Sequence, residues 1–158
     1  MTDVNIRTKL QRIQSSLKAP KGQTNKFGGY AYRSAEDILT AVKPLLAEWN
    51  CTLVITDDVV EVGGRIYVKA MAVLACTEGG EYTIQANGFA RESETRKGMD
   101  DSQITGSASS YARKYALNGL FAIDDTKDAD ATNDHGKKPI TQTKKISQAA
   151  NADADFDF

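Results

Sequence analysis

A chain of 158 residues has room for one domain and a tail. A hydrophobic share of 41% and a net charge of −1 suit a water-soluble protein, and no apolar run approaches the ~20 residues of a membrane span. The N-terminal residues lack the apolar core of a secretory signal, so a cytoplasmic location and no membrane partner are expected.

In residues 4–18, Leu10, Ile13 and Leu17 follow helical spacing, and Pro20 and Gly22 end that helix. Residues 20–33 read as a loop rich in glycine, lysine and aromatics. In it Phe27, Tyr30 and Tyr32 interleave with Lys26 and Arg33. Cations that grip phosphate and rings that stack on bases are the two halves of single-strand binding. The competing reading packs Tyr30 and Tyr32 beneath the next helix. Residues 4–35 carry Arg7, Lys9, Arg12, Lys18, Lys21, Lys26 and Arg33 and contain no acid. They form either a phosphate-contacting arm or a solvated basic stretch. Ser34 with Asp37 three residues on predicts a capping box. It opens a helix with an apolar stripe of Ile38, Val42, Leu45, Leu46 and Trp49, which Pro44 is expected to kink.

The period then changes. Runs at 51–62, 65–77 and 81–91 are separated by Gly63-Gly64 and Gly79-Gly80, the marks of tight hairpins. They predict an antiparallel three-stranded meander. Successive strand residues face opposite ways. Ile66, Val68, Ala70, Ala72 and Leu74 therefore share one face with Tyr82, Ile84, Ala86, Gly88 and Ala90, and that face sits on helices. The other offers Arg65, Tyr67, Lys69, Phe89 and Arg91 to a partner. Cys51 and Cys76 lie in apolar strand runs and read as buried free thiols rather than a disulfide.

Residues 92–102 are polar and include Arg96 and Lys97. A helix over 102–118 follows, rich in glycine, serine and alanine, and Asn118-Gly119 is its expected stop. Ile104, Ala108, Tyr111 and Tyr115 share a face, which favours a core or subunit-contact role for the tyrosines. Arg113 and Lys114 point elsewhere. Beyond Ile123 the chain is polar, with too little apolar surface to offset ordering entropy. Residues 1–123 hold 15 Lys/Arg against 13 Asp/Glu, whereas 124–158 hold 5 Lys against 8 Asp. The expected organisation is an α+β core over 1–126, a three-stranded antiparallel meander packed on helices, and a disordered acidic tail over 127–158.

Catalytic chemistry has little to work with. The one histidine, His135, lies in the tail, so a nucleophile–imidazole system lacks its base. No phosphate-binding G-x-x-x-x-G-K-[ST] loop occurs. The aspartates at 124, 125, 128 and 130 lack the glycine and terminal glutamate of a calcium loop. Neither a catalytic residue, a metal nor a cofactor is expected.

Four segments together resemble the ERF (essential recombination function) family of phage single-strand annealing proteins. They are Tyr30 to Ile38 (YAYRSAEDI), Gly98 to Gly106 (GMDDSQITG), Ser109 to Leu117 (SSYARKYAL) and Gly119 to Asp125 (GLFAIDD). The resemblance covers roughly residues 5–130. It implies a β-β-β-α annealing core, a homo-oligomeric ring or filament, and ATP-independent pairing of complementary single-stranded DNA in phage recombination. The expected DNA contacts are Arg113 and Lys114, then Arg91, Arg96 and Lys97, then Lys69 and Arg65, with Lys26, Arg33, Tyr30 and Tyr32 in the early loop. The end of the tail, Asp153, Asp155, Phe156, Asp157 and Phe158, resembles the partner-docking tip of bacterial single-strand-binding proteins. A phage exonuclease or host single-strand-binding-protein partners are the implied protein contacts. The alternative is a module that coats single strands without annealing them, or an adaptor that recruits partners through its tail.

Overall fold

A computed structural model describes residues 4–26, 29–76 and 82–124, all within the unit Met1–Asp124. Helix α1, Ile6–Ser16, starts where the Asn5 side chain accepts the Thr8 N–H at 3.0 Å. The expected loop at 20–33 instead contains two short antiparallel strands, β1 Gln23–Asn25 and β2 Tyr30–Tyr32. Three residues are too few to display an alternating pattern, which is why the sequence hid them. Helix α2, Ala35–Glu48, opens on the expected capping box. Ser34 Oγ accepts the Asp37 N–H at 3.2 Å, and Asp37 accepts the Ser34 N–H at 2.8 Å. That backbone hydrogen bond, working against desolvation and helped by the Ser34 hydroxyl, holds the Asp37 carboxyl below its ordinary range. The helix runs on through Pro44.

Strands β3 (Cys51–Val62), β4 (Arg65–Cys76) and β5 (Tyr82–Arg91) form the antiparallel meander in the order β3-β4-β5. Gly63 and Gly64 turn the first hairpin at φ 60° and 72°, values that favour glycine over residues with a Cβ. The second turn, with Gly79-Gly80, lies outside the described residues. The pairing runs from Val62↔Arg65 to Cys51↔Cys76 and from Tyr67↔Arg91 to Cys76↔Tyr82. Val68, Ala70, Ala72 and Leu74 are buried on the predicted face. Ile66, beside the Gly63-Gly64 turn, is exposed, as is Tyr82. The two cysteines are buried, as expected, and meet across β3 and β4 with their sulfurs 2.6 Å apart.

Helix α3, Asp101–Phe121, is capped by a box between Asp100 and Gln103. It passes Asn118-Gly119 and stops at Ala122, a left-handed residue at φ 50° whose N–H bonds Asn118 O. The expected stop fails because Leu117, Leu120 and Phe121 are buried in the core, and burying large side chains at ~1.5–3 kcal/mol each outweighs a local stop signal. Ile13 of α1 with Ile38 and Val42 of α2 join this core. Gln14 donates to Leu120 O at 2.9 Å and ties α1 to the end of α3.

The tightest contact seats α3 on the sheet. A Cβ at Gly88 would stand 2.2 Å from Ala112 O and 2.3 Å from Ala116 N. Glycine on β5 and alanine on α3 therefore let two backbones touch where larger residues would hold them apart. The described residues form the α+β architecture the sequence predicted. The tail over 127–158 lies outside them.

Candidate nucleic-acid interface

Helix α3 sorts its side chains by a repeat of four. Ala108, Ala112 and Ala116 are buried as the stripe facing the sheet. A helix turns about 100° per residue, so neighbours before and after each stripe residue fall on opposite flanks. Tyr111 and Tyr115 lie on one flank, and Ser109 and Arg113 on the other. The contacts agree. The tyrosines share a cleft with Phe89 and Arg91 of β5, whereas Ser109 and Arg113 bond to Asp57 of β3. Since β3 and β5 are the outer strands, α3 lies across the sheet and addresses each edge with a different set of groups.

On the β5 flank the cleft measures ≈310 Å³ and is lined by Phe89, Arg91, Ser93, Arg96, Ser107, Tyr111 and Tyr115 above Ile104 and Ala108, with no carboxylate among the lining residues. Tyr111 and Tyr115 are 48% and 45% exposed, so the core role expected for them does not hold. Their ring centroids are 6.3 Å apart. The Lys114 ammonium lies 5.0 and 5.2 Å from them, within cation–π range. Lys114 therefore joins the tyrosines rather than pointing away. Arg96 reaches the Ser107 hydroxyl at 3.4 Å, and Lys69 stands 5.9 Å from the Phe89 ring.

An adjoining cleft of ≈390 Å³ also takes in Arg91, together with Arg65, but adds Glu92, Glu94 and Asp101. Glu92 accepts a hydrogen bond from Thr105 on α3. Its mixed charge makes this cleft a poorer seat for a polyanion than the first.

On the β3 flank Asp57 meets Arg113 side-on. Arg113 Nε lies 3.1 and 3.0 Å from the two carboxylate oxygens, Nη2 lies 2.9 Å from Oδ2, and Ser109 Oγ donates at 2.5 Å. Desolvation pushes the Asp57 carboxyl up. The hydrogen bonds from Arg113 and Ser109 and the guanidinium charge more than offset that and leave it below its ordinary value. The hydrogen bond with Asp57, against desolvation, raises the Arg113 pKa, and Glu36 adds to it.

Of the residues expected to contact DNA, the fold gathers Arg91 and Arg96 in the first cleft, with Lys114 over its tyrosine rings, Lys69 near Phe89 and Arg65 next door. Lys97 follows Arg96 and is exposed. Arg113 stands across the helix in its ion pair. Lys26 and Tyr32 are exposed on the β1–β2 hairpin and line neither cleft. The backbone of Tyr30 lies on that hairpin as well, while its side chain, like all of Phe27, falls outside the described residues. Arg33 is buried, donating to Ala19 O at 2.8 Å, and Lys9 is only 3% exposed. Arg33 is thus a tie within the fold, and the seven early cations do not make one solvated arm. Asp153, Asp155, Phe156, Asp157 and Phe158 lie outside the described residues.

Sequence reasoning missed Asp57, which no local motif marks. Of the core or subunit-contact role expected for Tyr111 and Tyr115, their exposure overturns the core half. Their signal was present, since the alanines three residues before and one after each tyrosine already form a complete buried stripe.

Comparison with known proteins adds to this. The ERF superfamily matches residues 6–155, which extends beyond the 5–130 span of the resemblance and into the segment read as a separate tail. The essential recombination function protein of Salmonella phage P22 is 53% identical over 140 residues, which cover 86% of this chain and 65% of that protein. The chain thus corresponds to under two thirds of that relative's length.

Proposed function

The chain belongs to the ERF superfamily, and on that footing we propose that it binds single-stranded DNA and anneals complementary strands without ATP, in the recombination of phage DNA. The carrying observation is the β5–α3 cleft, where Arg91, Arg96 and Lys114 surround exposed Tyr111 and Tyr115 and no carboxylate lines the wall. Phosphate contacts from arginine and lysine hold a strand without reading its sequence. Exposed rings add stacking that tolerates any base. A strand held by its backbone keeps Watson–Crick edges open to a second strand, and pairing between the strands then supplies the specificity. The name of the phage P22 relative, essential recombination function protein, supports the recombination setting.

Nothing in this mechanism breaks a covalent bond, so the protein acts as a binding scaffold rather than an enzyme. A cleft of ≈310 Å³ is too small for more than a short piece of a strand. Homo-oligomers, as a ring or filament, would join such clefts into a track. The setting is the host cytoplasm. The Asp/Phe residues at 153–158 are proposed to dock an exonuclease or single-strand-binding partner.

Mixing complementary oligonucleotides, one carrying a quenched fluorophore, tests the reading. The protein should accelerate duplex formation in the absence of ATP, and the triple variant R91A/R96A/K114A should lose most of that effect. Tight binding with no acceleration would make the protein a single-strand coat. Absence of salt-dependent DNA binding would leave the adaptor reading.

A further inference from the structure

We infer that Asp57 and Ser109 are positioning residues that hold the Arg113 guanidinium ready for a phosphate of bound single-stranded DNA; this rests on the function proposed above. The geometry on the β3 flank carries it. The pair is side-on: Nε and Nη2 face the Asp57 carboxylate, and the Nη1 edge takes no part. A guanidinium has five N–H donors in a rigid fork. The carboxylate engages one from Nε and one from Nη2, which leaves three for another anion. The Arg113 side chain is 45% exposed, so the ion pair leaves it within reach of an anion from solvent.

Ser109, one turn before Arg113 on the same flank, fixes the carboxylate from its own side at 2.5 Å. Asp57 is held in turn by the β3–β4 ladder, opposite Ala70. Each member is thus anchored to a rigid element, which is how a supporting residue fixes the direction of the group that makes contact. Placement continues the proposed track, because Arg113 directly follows the buried stripe residue Ala112 and precedes Lys114, which crowns the tyrosine flank. A strand leaving the β5-side cleft over Lys114 meets Arg113 next. A long side chain loses rotamer freedom when a phosphate pins it. Here that ordering is already done in the free protein.

Charge alone predicts the opposite outcome, which makes the idea easy to overturn. D57N removes a negative charge near the DNA, so simple electrostatics calls for tighter binding and a steeper salt dependence. Positioning calls for weaker binding, roughly three- to tenfold in Kd, the scale set by side-chain rotamer entropy. It also predicts a slope of log Kd against log salt that is shallower by about one phosphate contact.

The measurement uses the full chain and fluorescein-labelled oligo-dT across a salt series, with thermal unfolding as the check on folding. R113K, which keeps the charge and loses the fork, should match D57N, and S109A should weaken binding about twofold. In an R113A background D57N should produce no further weakening. Should D57N fail to fold, R113K and S109A decide alone. Binding by D57N, R113K or S109A as tight as wild type, or tighter, overturns the inference while leaving the annealing proposal intact. Failure of the wild-type protein to bind the oligonucleotide overturns both.

Discussion

The two flanks of α3 carry the same repeat with opposite electrostatic outcomes. Towards β5, tyrosines and cations meet with no acid among the cleft-lining residues. Towards β3, an equally basic side chain is held by a carboxylate and a hydroxyl. The helix supplies tyrosines on one side and a serine and an arginine on the other, and the neighbouring strand decides what becomes of them. β5 presents Phe89 and Arg91, whereas β3 presents Asp57. A cation on a helix is therefore read only with the strand beside it. Lys114 lies over the two tyrosine rings at 5.0 and 5.2 Å, where the proposed function uses it as a direct phosphate grip. Arg113 is held side-on by Asp57, the orientation on which the positioning inference rests.

The sharpest way to break this comparison is to remove the seat both flanks share. G88A places a Cβ against the backbone of Ala112 and Ala116. Backbone cannot yield as a flexible side chain can, so overpacking is expected to cost about 3 kcal/mol or more. Urea unfolding should register that loss, and DNA binding should fail on both flanks together. N87A, on the other face of β5, should unfold close to wild type.

A smaller effect separates the flanks. Y111A should weaken oligo-dT binding by about 1–3 kcal/mol, the range for loss of a stacking ring, with little change in salt slope. K114A should weaken binding across all sequences and make the slope shallower by about one contact. If Y111A and K114A both acted only on stability, the β5 flank would be structural.

The smallest effect lies in acid. The Asp57 carboxyl is depressed in the folded state. Its contribution to stability is therefore present above the unfolded value near ~3.9 and is lost as pH falls through the folded value. With Arg113 nearly half exposed, solvent screening keeps the contribution below about 1 kcal/mol. D57N should lower stability near neutrality by no more than that amount, with the difference from wild type closing as pH falls below ~4, so that the acid limb of its profile is flatter. An unchanged acid limb would show that the ion pair adds nothing to folding.

Strong periodicity made most of the fold legible. Alternation from Arg65 to Cys76 set the faces of β4, glycines 63 and 64 set the hairpin, and Ser34 with Asp37 set the start of α2. These are local rules, in which each residue's neighbours along the chain supply the physics. The ERF resemblance was legible in the same way, as four short segments in order. Local rules failed wherever a distant group had the larger energy. Core burial of Leu120 and Phe121 carried α3 past Asn118-Gly119. Burial tied Arg33, expected to face DNA, to the Ala19 carbonyl within the fold. The β1–β2 pair was too short to mark itself.

By itself, then, the sequence determined which segments become helix and strand and which faces are apolar, because propensity and periodicity act within a few residues. Only the tertiary structure decided that Tyr111 and Tyr115 stand in the open beside Lys114, and that Arg113 faces Asp57, 56 residues away along the chain. Contacts at that separation depend on how α3 crosses the sheet, and that crossing is set by the close approach at Gly88.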